Sequence, residues 1–197
     1  TIRMILERLT KEYENLIYLP VCGIIPLSED TCIIGTDSWY DGRISSDLLR
    51  LPFEMNDFNY IRELIEAETK KDKISIFQNR ADDALKQLRD LCGIAVKKYR
   101  RIIILSHPVP LARLEAHPYS ELSPFYIWYD AGKYILDFSE CYPEIEFLWL
   151  AGHTHMSSKF CVGNFSSYVL GAEYGYPRIG AVIDDDFKVK TEGMCLK

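Results

Sequence analysis

The stretch CGIAVKKYRRIIILSHPVP, Cys92 to Pro110, decides how the chain is read. Its first part closes a run in which Ala81, Ala84, Leu85, Leu88, Leu91, Cys92, Ala95 and Tyr99 follow i, i+3, i+4, i+7 spacing. That pattern predicts one long amphipathic helix ending near Tyr99. Asp82 and Asp83 near its start and Lys97 and Lys98 near its end suit the helix dipole, and Gly93 is its one weak point. Its second part, Ile102 to Leu105, is an unbroken β-branched and leucine run, the mark of a strand buried on both faces. The same order returns downstream, where a helix over 125–141 feeds IEFLWLAGH, Ile145 to His153. Helix, buried strand, helix, buried strand argues an α/β sheet with parallel pairing.

Outward from this centre the patterns are shorter. Ile2, Ile5, Leu6 and Leu9 predict a helix over 2–13, and LIYLP (16–20) reads as a short strand stopped by Pro20. CGIIPL (22–27) and TCIIGT (31–36) read as two strands joined by the polar turn SED. A loop rich in aromatic and charged residues, GTDSWYDGR (35–43), follows, then a weakly patterned region and a helix over 59–66. The tail, with KFCVG, SSYVLG, IGAVIDDD and FKVKTEG, predicts three or four short antiparallel strands. No repeat or linker divides the chain, so residues 1–197 are expected to form a single domain.

Bulk composition narrows the function classes. A net charge of −6 and a pI near 5.3 give no basic footprint for nucleic acid. The clusters KKDK (70–73) and KKYRR (97–101) read as solvated helix ends. No apolar run is long enough to span a bilayer, and the opening residues do not read as a signal-peptide pattern. Six scattered cysteines without a C-x-x-C pair speak against a disulfide scaffold and for a reducing, cytoplasmic setting.

Three of the four histidines stand where chemistry is expected. In α/β sheets ligands gather beyond the carboxyl ends of the strands. His107 follows IIILS, and His153 and His155 follow FLWLAG. In an extended stretch residues i and i+2 point the same way, so the latter two are expected to face one cavity, with Gly152 turning the backbone. Neutral imidazole is a ligand for zinc, iron and manganese-type ions, so His107, His153 and His155 are the candidate metal ligands. His117, in EAHPYS, has no such context and reads as a loop residue.

ILSHPVP (104–110), followed by AGHTH (151–155), resembles the last two motif blocks of the calcineurin-like metallophosphoesterase superfamily, a lone His and then G-H-x-H. GTDSWYDGR and GAEYGYP (171–177) also resemble stretches of bacterial members. The resemblance implies a four-layer α/β/β/α sandwich of two mixed sheets, of which this chain is the C-terminal portion. It implies two divalent metal ions of manganese, iron or zinc type, whose bridging hydroxide attacks a phosphoester substrate. His107 and His153 would then serve one ion and His155 the other. The family's D-x-H, G-D-x-x-D and G-N-H-[DE] blocks do not occur here, so an N-terminal portion of the same protein is the expected partner. Asp37 and Asp41 are not G-D-x-x-D, because they stand four apart. Asp37, Trp39 and Arg43 are instead the candidate substrate contacts, against the plainer reading of a polar loop over the site.

Two other readings stay open. One is a non-catalytic assembly module that keeps the phosphoesterase fold. The other is a mononuclear zinc hydrolase using all three histidines and a water. A chain lacking its N-terminal half is also expected to expose sheet surface and to self-associate.

Overall fold

The computed structural model describes residues 2–114, 121–172 and 181–190. His117, Cys195 and most of GAEYGYP lie outside the described residues. Helix α1 (Ile2–Glu12) leads to a single helical turn, α2 (Leu19–Cys22), where a strand was expected. Pro20 sits in its first turn, where a missing N–H costs nothing and the fixed φ is already helical. Strands β1 (Ile25–Pro26) and β2 (Thr31–Gly35) pair antiparallel across the polar turn. The expected helix over 59–66 is two turns, α3 (Asp57–Tyr60) and α4 (Arg62–Glu66), because Ile61 is extended at φ −89° and ψ 114°.

Helix α5 (Lys70–Ala95) is the long helix the apolar stripe predicted. A capping box starts it: Thr69 accepts from the Asp72 N–H while the Asp72 carboxylate accepts from the Thr69 N–H. Its stripe, Ala81, Ala84, Leu85, Leu88, Cys92 and Ala95, is buried in the core, and Gly93 lies on the open side. Lys70 is not a solvated helix end. Its ammonium donates to the carbonyls of Leu49 (3.1 Å) and Leu51 (2.7 Å) and tethers the preceding segment.

Strand β3 (Arg101–Leu105) follows, then helix α6 (Tyr129–Glu140) and strand β4 (Glu146–Ala151). Helix α6 begins at Tyr129, not at Phe125, because Ser123–Phe125 is a separate 3-10 turn. Strands β5 (Ser158–Val162) and β6 (Phe165–Val169) form a hairpin, and β7 (Val182–Ile183) with β8 (Val189–Lys190) another. The main sheet has six strands in the order β1-β2-β3-β4-β6-β5. Pairing is parallel from β2 through β3 and β4 to β6, and antiparallel at both edges. The tail strands are therefore not wholly antiparallel, since β6 joins β4 in parallel.

The fold is mixed α/β, with one six-stranded mixed sheet and one small hairpin among the described residues. One face of the sheet, with Cys32, Ile34, Ile102, Ile104, Phe147, Trp149 and Phe165, packs into the same core as α5 and α6. On the other, Ile103, Leu148 and Tyr168 pack near Ile183, Phe187 and Val189 of the β7–β8 hairpin, while Ile33, Leu105 and Leu150 stay half-buried. No helix among the described residues is long and apolar enough to cross a membrane, and the five cysteines there are free thiols.

Candidate functional site

His107 is placed by the end of β3 and by a second tether. The Ser106 N–H donates to the Leu150 carbonyl, carrying the parallel pairing one residue past the strand. Ser106 Oγ then accepts the buried indole N–H of Trp149 at 2.7 Å and donates to the Pro108 carbonyl at 2.8 Å. The His107 N–H donates to Ser38 Oγ (2.9 Å), and the His107 carbonyl accepts from the Gly152 N–H (3.1 Å). Val109 next pairs with Ile127, and Gly132 of α6 lies under Pro110. Each bond fixes the residue beside the imidazole, so the ring starts from a rigid base.

The histidines after β4 are placed differently from expectation. Gly152 is not the turning residue. The backbone turns at His153 and His155 themselves, which are left-handed at φ 69° and 59°. Thr154 N–H bonds back to the Gly152 carbonyl, so the stretch is curled and the alternation of an extended strand does not apply. What results is a contact between His153 and His107, with ring centroids 4.6 Å apart and His153 Nδ1 only 3.0 Å from His107 Nε2.

Tautomers follow from the partners. His153 Nε2 lies 3.0 Å from the Phe125 carbonyl, which can only accept, so Nε2 carries the hydrogen. His153 Nδ1 therefore presents a lone pair, and His107 Nε2 donates to it when nothing else lies between them. Burial, reinforced by the charge of His107, pushes the His153 pKa down to about 4. Desolvation also holds His107 below the usual imidazole value, although the residue keeps an exposed edge. Both rings are thus neutral near pH 7, the form that binds metals. His155 acts on both rings through its charge. Among the described residues, however, no three His, Cys, Asp or Glu side chains gather into one set able to hold a metal ion.

A cleft of about 1110 Å³ opens beside His107 at the carboxyl ends of β2 and β3. Its walls are α1, the Ile17–Pro20 stretch and α5, and Asp37, Trp39 and His107 are among its lining residues. Both Asp37 oxygens accept from the Tyr18 hydroxyl, at 2.5 and 2.6 Å, and Arg3 lies 3.5 Å away. Arg80 sits 5.1 Å above the Trp39 ring. Arg43 faces elsewhere: its guanidinium is bidentate to Asp82 at 2.7 and 2.8 Å and within 3.3 Å of Asp130, and it does not line the cleft. Asp41 is fully buried and structural. Its carboxylate accepts the Arg43 N–H (3.0 Å) and the Asp130 N–H (2.8 Å) in the first turn of α6.

Two residues near the histidines escaped sequence reasoning. Tyr40 is 2% exposed, stacks within 15° of parallel on His153, and its hydroxyl has no hydrogen-bond partner of normal geometry. The charge of Asp57, half-buried in the first turn of α3, bears on both Tyr40 and His107. Asp57 lies in the segment whose apolar residues have no period, and only the recurrence of Phe53, Phe58 and Phe125 around Tyr40 in space brings it to the site. Comparison of the chain with protein-family models, with curated proteins and with solved structures finds no match.

Proposed function

We propose that this chain supplies part of the metal site of a metal-dependent phosphoesterase. The observation that carries the reading is the 3.0 Å approach of two neutral imidazole nitrogens at the ends of adjacent parallel strands, beside a cleft of about 1110 Å³. Two cis ligands at ~2.1 Å on a six-coordinate ion lie ~3.0 Å apart, and on a tetrahedral ion ~3.4 Å, so the separation fits the first. His107 and His153 would hold one ion, and His155, outside their contact, would serve a second. Bound ions would supply a hydroxide nucleophile at neutral pH and neutralise charge on the phosphoryl oxygens. The chain's own contribution is to keep both rings neutral and oriented, through the Phe125 carbonyl and the Ser38 and Gly152 tethers.

Carboxylate ligands would come from an N-terminal portion of the same protein. Its sheet would close over the half-buried face at Ile33, Leu105 and Leu150 and complete a four-layer sandwich of two mixed sheets. Asp37 and Trp39 line the cleft and would contact the substrate, whereas Arg43 is committed to Asp82 and Asp130. The test is hydrolysis of phosphomonoesters and phosphodiesters with added manganese by the complete protein. His107→Asn and His153→Asn should each lower kcat/KM by at least about 100-fold, the scale of losing an ion that stabilises transition-state charge. Activity equal to wild type in both refutes the assignment.

The alternative is a non-catalytic module that keeps the fold. What favours it is the lack of a three-donor set among the described residues, which also weighs against the mononuclear three-histidine hydrolase. Absence of turnover with manganese, iron and zinc in the complete protein would select the module.

A further inference from the structure

The two helices that wall the cleft on one side, α1 and α2, are held very differently. Helix α2 is pinned to the body. Leu19 packs so closely on Gly35 of β2 that a Cβ there would stand 2.9 Å from its Cδ1. The Gln87 side-chain amide on α5 donates to the Pro20 carbonyl at 2.7 Å, and the Tyr18 hydroxyl lies against both Asp37 oxygens at 2.5 and 2.6 Å. Residues 13–17 then run exposed, and beyond them no residue of α1 is buried. Yet Ile2, Arg3 and Leu6 of α1 line the same cleft as Trp39 and His107. Arg3 reaches Asp37 at 3.5 Å while also pairing with Glu7 of its own helix at 3.1 Å. The Arg3 and Asp37 side chains are 54% and 48% exposed, and an ion pair so open to water holds weakly. Helix α1 is also frustrated where it rests. Thr10 Oγ1 is buried there without a hydrogen-bond partner among the described residues, a defect that water would cure on release.

We propose that α1 is a lid over the cleft, latched through Arg3 to Asp37 and hinged at residues 13–17. Released from the body, an 11-residue helix is marginal in water, so opening and fraying go together. Opening takes Ile2, Arg3 and Leu6 out of the cleft wall and strips Asp37 of its cation. Tyr18 stays behind as the pin that fixes where the lid departs from the body. Burial and its bond to Asp37 push the Tyr18 pKa up to about 12, so the pin keeps its proton at neutral pH. The inference rests on the proposed function only for what the cleft receives. The lid itself belongs to the chain without metal or substrate.

The test is hydrogen exchange of the α1 amides in the full chain with EDTA, the α5 amides reporting that the fold is intact. Arg3→Gln should speed α1 exchange about 2–5-fold, the worth of an exposed ion pair. Arg8→Gln breaks the like pair with Glu12 at 3.3 Å but leaves the latch, and should change exchange less. Sodium chloride at about 0.5 M should speed wild type as Arg3→Gln does and leave that variant unchanged. Thr10→Val removes only the unsatisfied hydroxyl and should slow exchange about 5-fold or more. Leu6→Asp puts a charge on the face turned to the cleft and should open the lid outright. Acrylamide should then quench Trp39 more strongly, because Trp128 and Trp149 are 1% and 0% exposed and stay silent. Wild-type exchange in both Arg3→Gln and Thr10→Val would overturn the proposal, as would unchanged quenching in Leu6→Asp. So would α1 amides that exchange in wild type as fast as in a free peptide. If Leu6→Asp does not fold, Arg3→Gln, Thr10→Val and the salt dependence decide. None of these readings involves a metal or turnover, so a lid that opens as expected stands even where the manganese assay fails.

Discussion

Acid should unfold the metal-free protein partly through a single ring. An unfolded histidine titrates near 6.5, whereas burial beside His107 lowers His153 to about 4. Between those values the unfolded chain holds a proton that the folded chain does not, so the stability contributed above pH 6.5 is lost as the pH falls. Integrating the linkage gives about 2 kcal/mol lost between pH 7 and pH 5, and about 3 kcal/mol by pH 4. With a urea dependence of about 2 kcal/mol per molar, the midpoint should fall by ~1 M from pH 7 to pH 5 on this account. Other groups titrate too, so the comparison is with His153→Asn, which cannot ionise and tolerates the left-handed backbone at that position. The measurement is urea unfolding of both proteins with EDTA at pH 7, 6, 5 and 4. Wild type should lose about 2–3 kcal/mol more than the variant over that range. Parallel curves, agreeing within about 0.5 kcal/mol, would refute the claim that the folded protein keeps His153 neutral.

Substitutions at four positions probe the frame that holds the site. Gly132→Ala would place a Cβ 1.6 Å from the Pro110 carbonyl oxygen, so it should cost at least about 3 kcal/mol and lower Tm on thermal melting. Asn164 donates to the carbonyls of Ser139, Tyr142 and Ile145 at 3.1, 2.9 and 2.6 Å. Asn164→Asp sets a carboxylate against those oxygens and should destabilise more than Asn164→Ala, as read by denaturant midpoints. Ser106→Ala strands the Trp149 indole N–H, for a loss of about 1–3 kcal/mol. Asp41→Asn can accept only one of its two backbone N–H bonds, and its amide faces the other, for a similar loss by thermal melting.

Sequence periodicity carries furthest where one physical requirement acts over many residues. The stripe on α5 and the apolar runs of β3 and β4 had to be buried, and all but Leu91, Leu105 and Leu150, which stay half-buried, are. Both runs do end as strands two residues before a histidine, His107 after β3 and His153 after β4. The local geometry was not legible, because the turn after β4 is made by left-handed histidines and not by Gly152. Nor was the fate of the charges in GTDSWYDGR, since the partners of Arg43 and Asp41 come from positions 82 and 130. Tyr18, with its strand-like neighbours, became part of the cleft only because α2 folds back over β2. Asp57 lies on two helical turns too short to show a period.

The left-handed backbone at His153 and His155 has a consequence for anyone who engineers this protein. A side chain other than glycine in that region carries strain of the order of 1 kcal/mol or more, and two such residues stand two apart. A library selected for heat tolerance alone would therefore be drawn to glycine at these two positions. The variants it enriched would look improved on a melting curve while having discarded the imidazoles. On the proposed metal reading, robustness and chemistry compete for the same pair of residues.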